Sequence, residues 1–228
     1  MEDTIKSVEY DRDIIVVHIT NGLTIKIGSA YLPPEFPEAF FHPGAVIEEK
    51  TETALNHAAA CLTAEKAALR LISRGEQYQA GLERKLALRK HHPEAIRVVL
   101  DRLTALNLVN DRRYAELWLK YRLGRNSRGS SFSGNRGSSG NRGPRFLGMQ
   151  LRAKGINREC AEAALEAVFT PDAEAALLER CVKKFGPGTG SGSSPKGRTR
   201  RSELTYFLKT QGFSAEAITR YLEQEDVE

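Results

Sequence analysis

The sequence is poor in cysteine, methionine and tryptophan, and it contains no long apolar run. Its three cysteines, Cys61, Cys160 and Cys181, are an odd number at unrelated spacings. This excludes a disulfide framework or a zinc site and favours free thiols in a reducing compartment. No stretch approaches the roughly 18 apolar residues of a membrane span, and the acidic N-terminus lacks the apolar core of a secretory signal. We therefore expect a cytoplasmic protein with no membrane association.

The charge of the chain is unevenly distributed. Residues 1–60 contain four lysines and arginines against ten acidic residues, a formal net charge of −6. Residues 61–228 contain 30 bases and 19 acids, a formal net charge of +11. A basic body behind an acidic head indicates a polyanion or an acidic protein surface as the partner.

The first 50 residues have a β pattern that ends in a proline-rich connector. Two β-rich runs, Ile14–Thr20 and Leu23–Ile27, flank Asn21 and Gly22. This pair of residues predicts a hairpin with a two-residue type I′ turn, in which both residues have positive φ. Four prolines then follow within YLPPEFPEAFFHPG and interrupt regular structure.

From about residue 51 the pattern becomes helical, and it repeats three times. Three segments align without a gap: LERKLALRKHHPEAIRVVL (82–100), LGMQLRAKGINRECAEAAL (147–165) and LTYFLKTQGFSAEAITRYL (204–222). Gly155 and Gly212 occupy the position of a glycine just after a helix. Asn157 and Ser214 follow as caps of the next helix.

Another helical run precedes each of the three aligned segments. We therefore predict a mainly α fold of three tandem three-helix repeats, stacked into an elongated curved array behind a small N-terminal β-hairpin module. The predicted divisions are a β module with its connector at 1–50 and helical repeats at 51–110, 111–169 and 170–228. Repeat two carries a Gly/Ser/Arg insert at 124–143 and repeat three a Gly/Ser insert at 186–197, which we interpret as tolerated loop expansions.

No arrangement of residues indicates catalysis. The glycine-rich segment 186–197 lacks the Gly-Lys-Ser/Thr of a phosphate-binding loop. His91 and His92 are isolated from other metal ligands, and no catalytic triad or pair of carboxylates is recognisable from spacing. We expect no enzymatic activity, no metal and no cofactor.

Basic residues recur near the helix turns of all three repeats. Their recurrence at equivalent joints predicts a basic stripe along one side of the array. We assign Tyr114 and Trp118, by contrast, to the core of the second repeat. The candidate residues for binding a partner or DNA are Arg84, Lys85, Arg89, Arg122, Arg125, Arg152, Lys154, Arg200 and Arg201.

Over residues 64–228 the sequence resembles the RecX family, regulatory proteins that modulate the bacterial RecA recombinase. The strongest part of the resemblance is VLDRLTALNLVNDRRYAELWLKYR (99–122), and LRAKGI (151–156) is similar to the family's turn between helices. Repeat one departs from that pattern, because Lys90 stands where the turn glycine is usual. The three repeats of three helices are the fold that the resemblance implies.

The resemblance also implies a function in DNA recombination, DNA repair and the SOS response. A RecX protein is expected to bind the RecA filament on single-stranded DNA, to lie along its groove, and to limit its assembly or favour its disassembly. Single-stranded DNA is then contacted directly or through the filament, and we expect a monomer. Two alternatives remain open, namely a direct binder of single-stranded nucleic acid through the Arg/Gly/Ser insert and a helical scaffold for another protein.

Overall fold

The computed structural model describes residues 3–34, 36, 41–127, 142–185 and 200–225. Over these ranges it contains one three-stranded sheet and nine α-helices. The chain divides into two compact units, Met1–Asn110 and Asp111–Glu228. The predicted class, a mainly α fold with a small N-terminal β module, is confirmed. Residues 128–141 and 186–199, which make up most of the two predicted inserts, lie outside the described residues.

The sheet of the first unit is antiparallel and has the order β1-β2-β3. Its strands are β1 (Ile5–Asp11), β2 (Ile14–Ile19) and β3 (Thr24–Gly28). In β2 the residues Ile15, Val17 and Ile19 are buried, whereas the residues between them are only partly covered. This alternation has the period of a strand, so one face of the sheet is available to pack against helices.

The connection between β2 and β3 differs from the predicted two-residue turn. Gly22 has a φ of +89°, but Asn21 is outside the left-handed region. The Ile19 N–H donates to the Leu23 carbonyl at 2.8 Å, which closes a three-residue loop with a left-handed glycine. The type I′ prediction is therefore wrong. The side chain of Asn21 accounts for the difference, because its Oδ1 accepts the Leu23 N–H at 2.8 Å and holds a local turn.

Strand β1 is a third strand that the sequence pattern did not predict. A short turn joins it to β2, and Arg12 in this turn has a φ of 54°. The segment after the proline-rich connector crosses its start, where the Ile5 N–H donates to the Ala45 carbonyl at 2.9 Å. Lys6 and Glu9 interrupt the apolar positions of β1, and hydrophobic alternation is correspondingly weak there.

Three helices complete the first unit: α1 (Glu49–Ile72), α2 (Gln79–Leu88) and α3 (Pro93–Ala105). Helix α1 packs on both β3 and α3. Ala58, Ala64 and Ala68 of α1 are completely buried, and such short side chains let its backbone approach its neighbours closely. Sheet and helices therefore share one hydrophobic core.

Six helices form the second unit: α4 (Asp111–Ser127), α5 (Pro144–Lys154), α6 (Arg158–Val168), α7 (Pro171–Phe185), α8 (Arg200–Gln211) and α9 (Ala215–Glu225). Helices α4 and α5 pack on α6, and α7 packs on α8 and α9. Leu119, Leu151, Leu177 and Leu208 are completely buried in these contacts. Helix α4 continues to Ser127, so the first residues of the predicted 124–143 insert are helical.

The predicted helix caps of the second unit are confirmed. Gly155 and Gly212 have left-handed φ values of 99° and 90°. The Asn157 Oδ1 accepts the Cys160 N–H at 2.7 Å, and the Ser214 Oγ accepts the Ala217 N–H at 3.1 Å. Each cap satisfies a backbone donor at a helix start that has no partner within the helix.

Candidate functional site

The second unit holds two cations against one tryptophan ring. Trp118 and Arg122 lie one helical turn apart on α4, and the Arg122 guanidinium carbon is 4.8 Å from the centre of the Trp118 ring. From the end of α5, the Lys154 Nζ approaches the same ring to 5.8 Å. Both distances are within the range of cation–π attraction. We call these three residues the Trp118 cluster, and it concentrates two positive charges at one place in this unit.

The position of Trp118 differs from the expected position in the repeat core. Among the described side chains of α4, Ala115 and Leu119 are completely buried, whereas Trp118 is only partly buried. The four-residue spacing of Trp118 and Arg122 was a signal in the sequence for their contact. No such signal links either residue to Lys154, because the packing of separate helices brings them together.

A second ring carries a cation at the start of α5. The Arg142 guanidinium carbon lies 4.4 Å from the centre of the Phe146 ring. Phe146, Gln150 and Lys154 follow one another at four-residue intervals, so they lie on one face of α5. That face presents an aromatic ring, an amide and an ammonium group in a row that ends at the Trp118 cluster.

Arg152 lies on a different side of α5 from Lys154. Residues two positions apart in a helix, such as Arg152 and Lys154, are separated by about 200° around the axis. Arg152 lines a groove of about 550 Å³ between α5 and α6, together with Arg145 and Met149, which is 60% exposed. Two of the predicted binding residues thus face two separate surfaces.

The candidate residues of the first unit do not form a single patch. Arg84 donates to the Tyr78 Oη at 2.8 Å, and Lys85 donates to the Gln77 Oε1 at 2.6 Å. Both side chains therefore contact the connection between α1 and α2. Arg89 directly follows α2, is exposed, and lines a different groove against α1.

The remaining candidates are Arg125, Arg200 and Arg201. Arg125 belongs to α4 and Arg200 begins α8, but their side chains are outside the described part of the chain. Arg201 is exposed on α8. Of the nine predicted residues, the Trp118 cluster brings together Arg122 and Lys154. The basic stripe along the whole chain remains a prediction.

A partly buried polar cluster in the first unit joins α1 and α3. The Arg102 Nε lies 3.4 Å from the Glu65 Oε1, and the Arg102 guanidinium carbon is 5.8 Å from the centre of the Tyr31 ring. Burial, reinforced by the Glu65 carboxylate, raises the pKa of the Cys61 thiol to about 11. Cys61 is therefore a neutral thiol at physiological pH, which makes it a poor nucleophile.

The described residues show neither a metal site nor a membrane span. Over these ranges no three side chains from histidine, cysteine, aspartate and glutamate come together to hold a metal ion. None of the described helices combines the length and the apolar run required to cross a bilayer.

Three helix triplets that follow a small sheet in the chain define a mainly helical repeat protein, in which cations are held against aromatic rings. The chain is 31% identical over 151 residues to the regulatory protein RecX of Chromohalobacter salexigens. The aligned residues cover 66% of this chain and 85% of that protein. It is 30% identical over 162 residues to the regulatory protein RecX of Pseudomonas entomophila, with coverages of 71% and 91%. The chain belongs to the RecX family of regulatory proteins.

The fold agrees with this membership. A crystal structure of a regulatory protein RecX superimposes with a TM-score of 0.69 and covers 94% of this chain and 96% of that one. Its sequence identity is 18%, so the superposition is evidence for the fold alone. No protein-family model matches the chain.

Proposed function

We propose that this protein binds RecA and its filament on single-stranded DNA and limits the recombinase and ATPase activities of RecA. The observation that carries the proposal is the match to RecX proteins over 85% and 91% of their own lengths. Regulation without catalysis by the chain itself is part of this proposal. The setting that it implies is recombination, repair and the SOS response in the cytoplasm.

The Trp118 cluster supports the proposal by its chemistry. Arg122 and Lys154 are attracted to the ring face, which restricts their long side chains before a ligand arrives. Side chains that are already ordered lose less conformational entropy on binding. The net charge of +11 over residues 61–228 adds long-range attraction for DNA or for an acidic protein surface.

The two sides of α5 suit two kinds of contact. The Trp118 cluster offers positive charge and an aromatic ring, a combination that binds single-stranded nucleic acid in other proteins. The α5–α6 groove places the exposed Met149 beside Arg145 and Arg152. Methionine and arginine are enriched at protein–protein interfaces. We infer that α5 contacts DNA with one side and RecA with the other.

The test is ATP hydrolysis by RecA on single-stranded DNA with increasing amounts of this protein. We expect hydrolysis to fall as the protein approaches the concentration of RecA. The variant Arg122→Glu with Lys154→Glu should require a higher concentration for the same effect, because it reverses both charges at the Trp118 ring. The matched control is Lys120→Glu with Lys209→Glu, which makes the same change in net charge at two exposed residues outside the cluster.

The outcomes distinguish regulation of RecA from the role of the Trp118 cluster in that regulation. Unchanged hydrolysis at saturating concentrations of the wild-type protein would refute regulation of RecA. Equal losses in the variant and the control would leave regulation in place but reject the Trp118 cluster as its site. The alternative that the Arg/Gly/Ser insert binds nucleic acid remains a prediction, because residues 128–141 lie outside the described ranges.

A further inference from the structure

A groove in the first unit is surrounded by cations from three parts of the fold. It has a volume of about 570 Å³ and lies against the second half of α1. The cations that line it are Lys26 of β3, Lys66 and Arg70 of α1, Arg74 just after α1, and Arg89 just after α2. We call it the α1 groove. Its wall includes a strand of the N-terminal sheet, although the first 60 residues are acidic as a whole.

The five cations of the α1 groove have no charged partner in direct contact within the described part of the protein. None of these side chains forms a hydrogen bond or ion pair there, and no aspartate or glutamate lines the groove. Arg102 and Arg84 of the same unit, in contrast, have Glu65 and Tyr78 as partners. Like charges gathered without counter-charges repel one another, and this repulsion is relieved when an anion binds.

The order of the cations suits a linear polyanion. Lys66 and Arg70 are one helical turn apart, which separates them by about 6 Å along the axis of α1. Arg74 follows after the same interval in sequence. The negative end of the α1 dipole favours cations in its last turn, which accounts for Arg70 and Arg74. It does not account for Lys26 or Arg89, which come from other elements and face the same space.

The rest of the lining distinguishes a phosphate backbone from a peptide. Leu62, Ala67 and Leu71 provide an aliphatic floor, and no phenylalanine, tyrosine or tryptophan lines the groove. The hydroxyl of Thr63 already donates to the Ala59 carbonyl at 2.9 Å. Apart from His91 and the Thr63 oxygen, the lining therefore has no side-chain acceptor for the N–H groups of a peptide, whose desolvation would be unfavourable. Phosphates require only the charged donors that are present.

We propose that the α1 groove binds the phosphate backbone of a single-stranded nucleic acid, without base specificity and without RecA. One row of cations along α1 matches one strand, and the lining has no phenylalanine, tyrosine or tryptophan on which the bases would stack. This site is separate from the Trp118 cluster and goes beyond regulation of RecA.

The experiment measures binding of a fluorescently labelled oligothymidylate to the full chain by anisotropy over a series of salt concentrations, with no RecA present. The variant Lys66→Glu with Arg70→Glu should bind at least about tenfold more weakly. Its log–log salt slope should be smaller by about 1.4, because each lost phosphate contact on a single strand contributes about 0.7. The variant Lys66→Gln with Arg70→Gln should show a loss in the same direction, and circular dichroism checks that both variants remain helical.

The matched control is Lys6→Glu with Arg97→Glu. Both residues are exposed in the same unit, neither lines the groove, and the change in net charge is identical. We expect the control to keep the wild-type salt slope. Equal losses in control and variant would overturn the proposal in favour of a general charge effect, and so would no loss in either. Displacement of the oligonucleotide by poly-glutamate of equal charge at equal concentration would overturn it in favour of an acidic peptide.

The result is independent of the proposed regulation of RecA. Loss of oligonucleotide binding in Lys66→Glu with Arg70→Glu supports the α1 groove whether or not RecA hydrolysis responds to the wild-type protein. Conversely, wild-type binding by this variant rejects the groove and leaves the RecA assay unaffected.

Discussion

The turn between the last two helices of each triplet has a left-handed residue at the same position in both units, but the residue differs. In the second unit Gly155 and Gly212 adopt the left-handed conformation after α5 and α8. In the first unit Lys90 adopts it after α2, with a φ of 62°. A lysine in this region carries a steric penalty of about 1–2 kcal/mol that glycine does not.

The hydrogen bonds of the three turns are equivalent. The residue after each left-handed position donates to the carbonyl five residues earlier, from His91 to Leu86 at 3.3 Å and from Ile156 to Leu151 and Phe213 to Leu208 at 3.2 Å each. This is the Schellman arrangement, which satisfies carbonyls at a helix end. Its geometry is therefore preserved where the glycine is absent.

The turns differ further at the start of the following helix. Asn157 and Ser214 cap α6 and α9 with their side chains, whereas His92 before α3 makes no capping hydrogen bond. Pro93 in the first turn of α3 supplies a preset φ instead. We infer that the fold fixes this turn through its buried positions, while the local residues set how much each turn adds to stability.

The largest effect is expected at the leucine that the three turns share. Leu86, Leu151 and Leu208 occupy equivalent positions and are all completely buried. Each Leu→Ala change should lower the free energy of unfolding by about 2–5 kcal/mol through lost burial and a cavity. Leu88→Ala is the control on α2, since Leu88 is 83% exposed, and it should change stability by less than about 0.5 kcal/mol.

Urea unfolding measures these losses. Circular dichroism follows all helices, and the fluorescence of Trp118, the single tryptophan of the chain, reports on the second unit. A loss at Leu86 that is no larger than the loss at Leu88 would break the equivalence of the three repeats.

The next largest loss of stability is expected at Gly212, one of the two turn glycines of the second unit. A Cβ on Gly212 would lie 2.6 Å from the backbone nitrogen of Phe146, because the α8–α9 turn packs against the start of α5. Gly212→Ala should therefore lower the free energy of unfolding by about 2–4 kcal/mol, from the left-handed backbone and overpacking together. Gly155→Ala is the matched change at an exposed turn and should lower it by about 1–2 kcal/mol. Equal losses in urea unfolding would mean that the contact with Phe146 adds nothing.

Much of the helical fold could be predicted from the sequence because its signals are local. The alignment of the three segments located the helix ends, the two glycines and the caps Asn157 and Ser214. Strand β1 could not be predicted in this way, since its hydrogen bonds go to β2 and to residues near Ala45. Such pairing depends on the whole unit and leaves little periodic pattern in a strand with charged residues.

The candidate sites were less accessible to prediction for the same reason. The contact of Arg122 with Trp118 follows from helical spacing, but Lys154 joins them only because α5 packs near α4. Lys26 of the α1 groove is far from Arg70 and Arg89 in sequence, so no motif connects them. Conversely, Arg152 and Lys154 are neighbours in sequence, yet helix geometry turns them toward different surfaces.

The smallest effect is a gain in stability that would make the turn of the first unit like the other two. Lys90→Gly removes a steric penalty of about 1–2 kcal/mol in the folded state. Glycine also increases the entropy of the unfolded chain, which offsets about 0.5–1 kcal/mol of that gain. We expect a net increase of about 0.5–1 kcal/mol in the free energy of unfolding, measured by urea unfolding with circular dichroism. The control is Lys90→Ala, which removes the same charge but keeps a Cβ in the left-handed backbone, so it should leave stability unchanged. If alanine stabilised the protein as much as glycine, the lysine side chain rather than the backbone conformation would be the source of the difference between the two units.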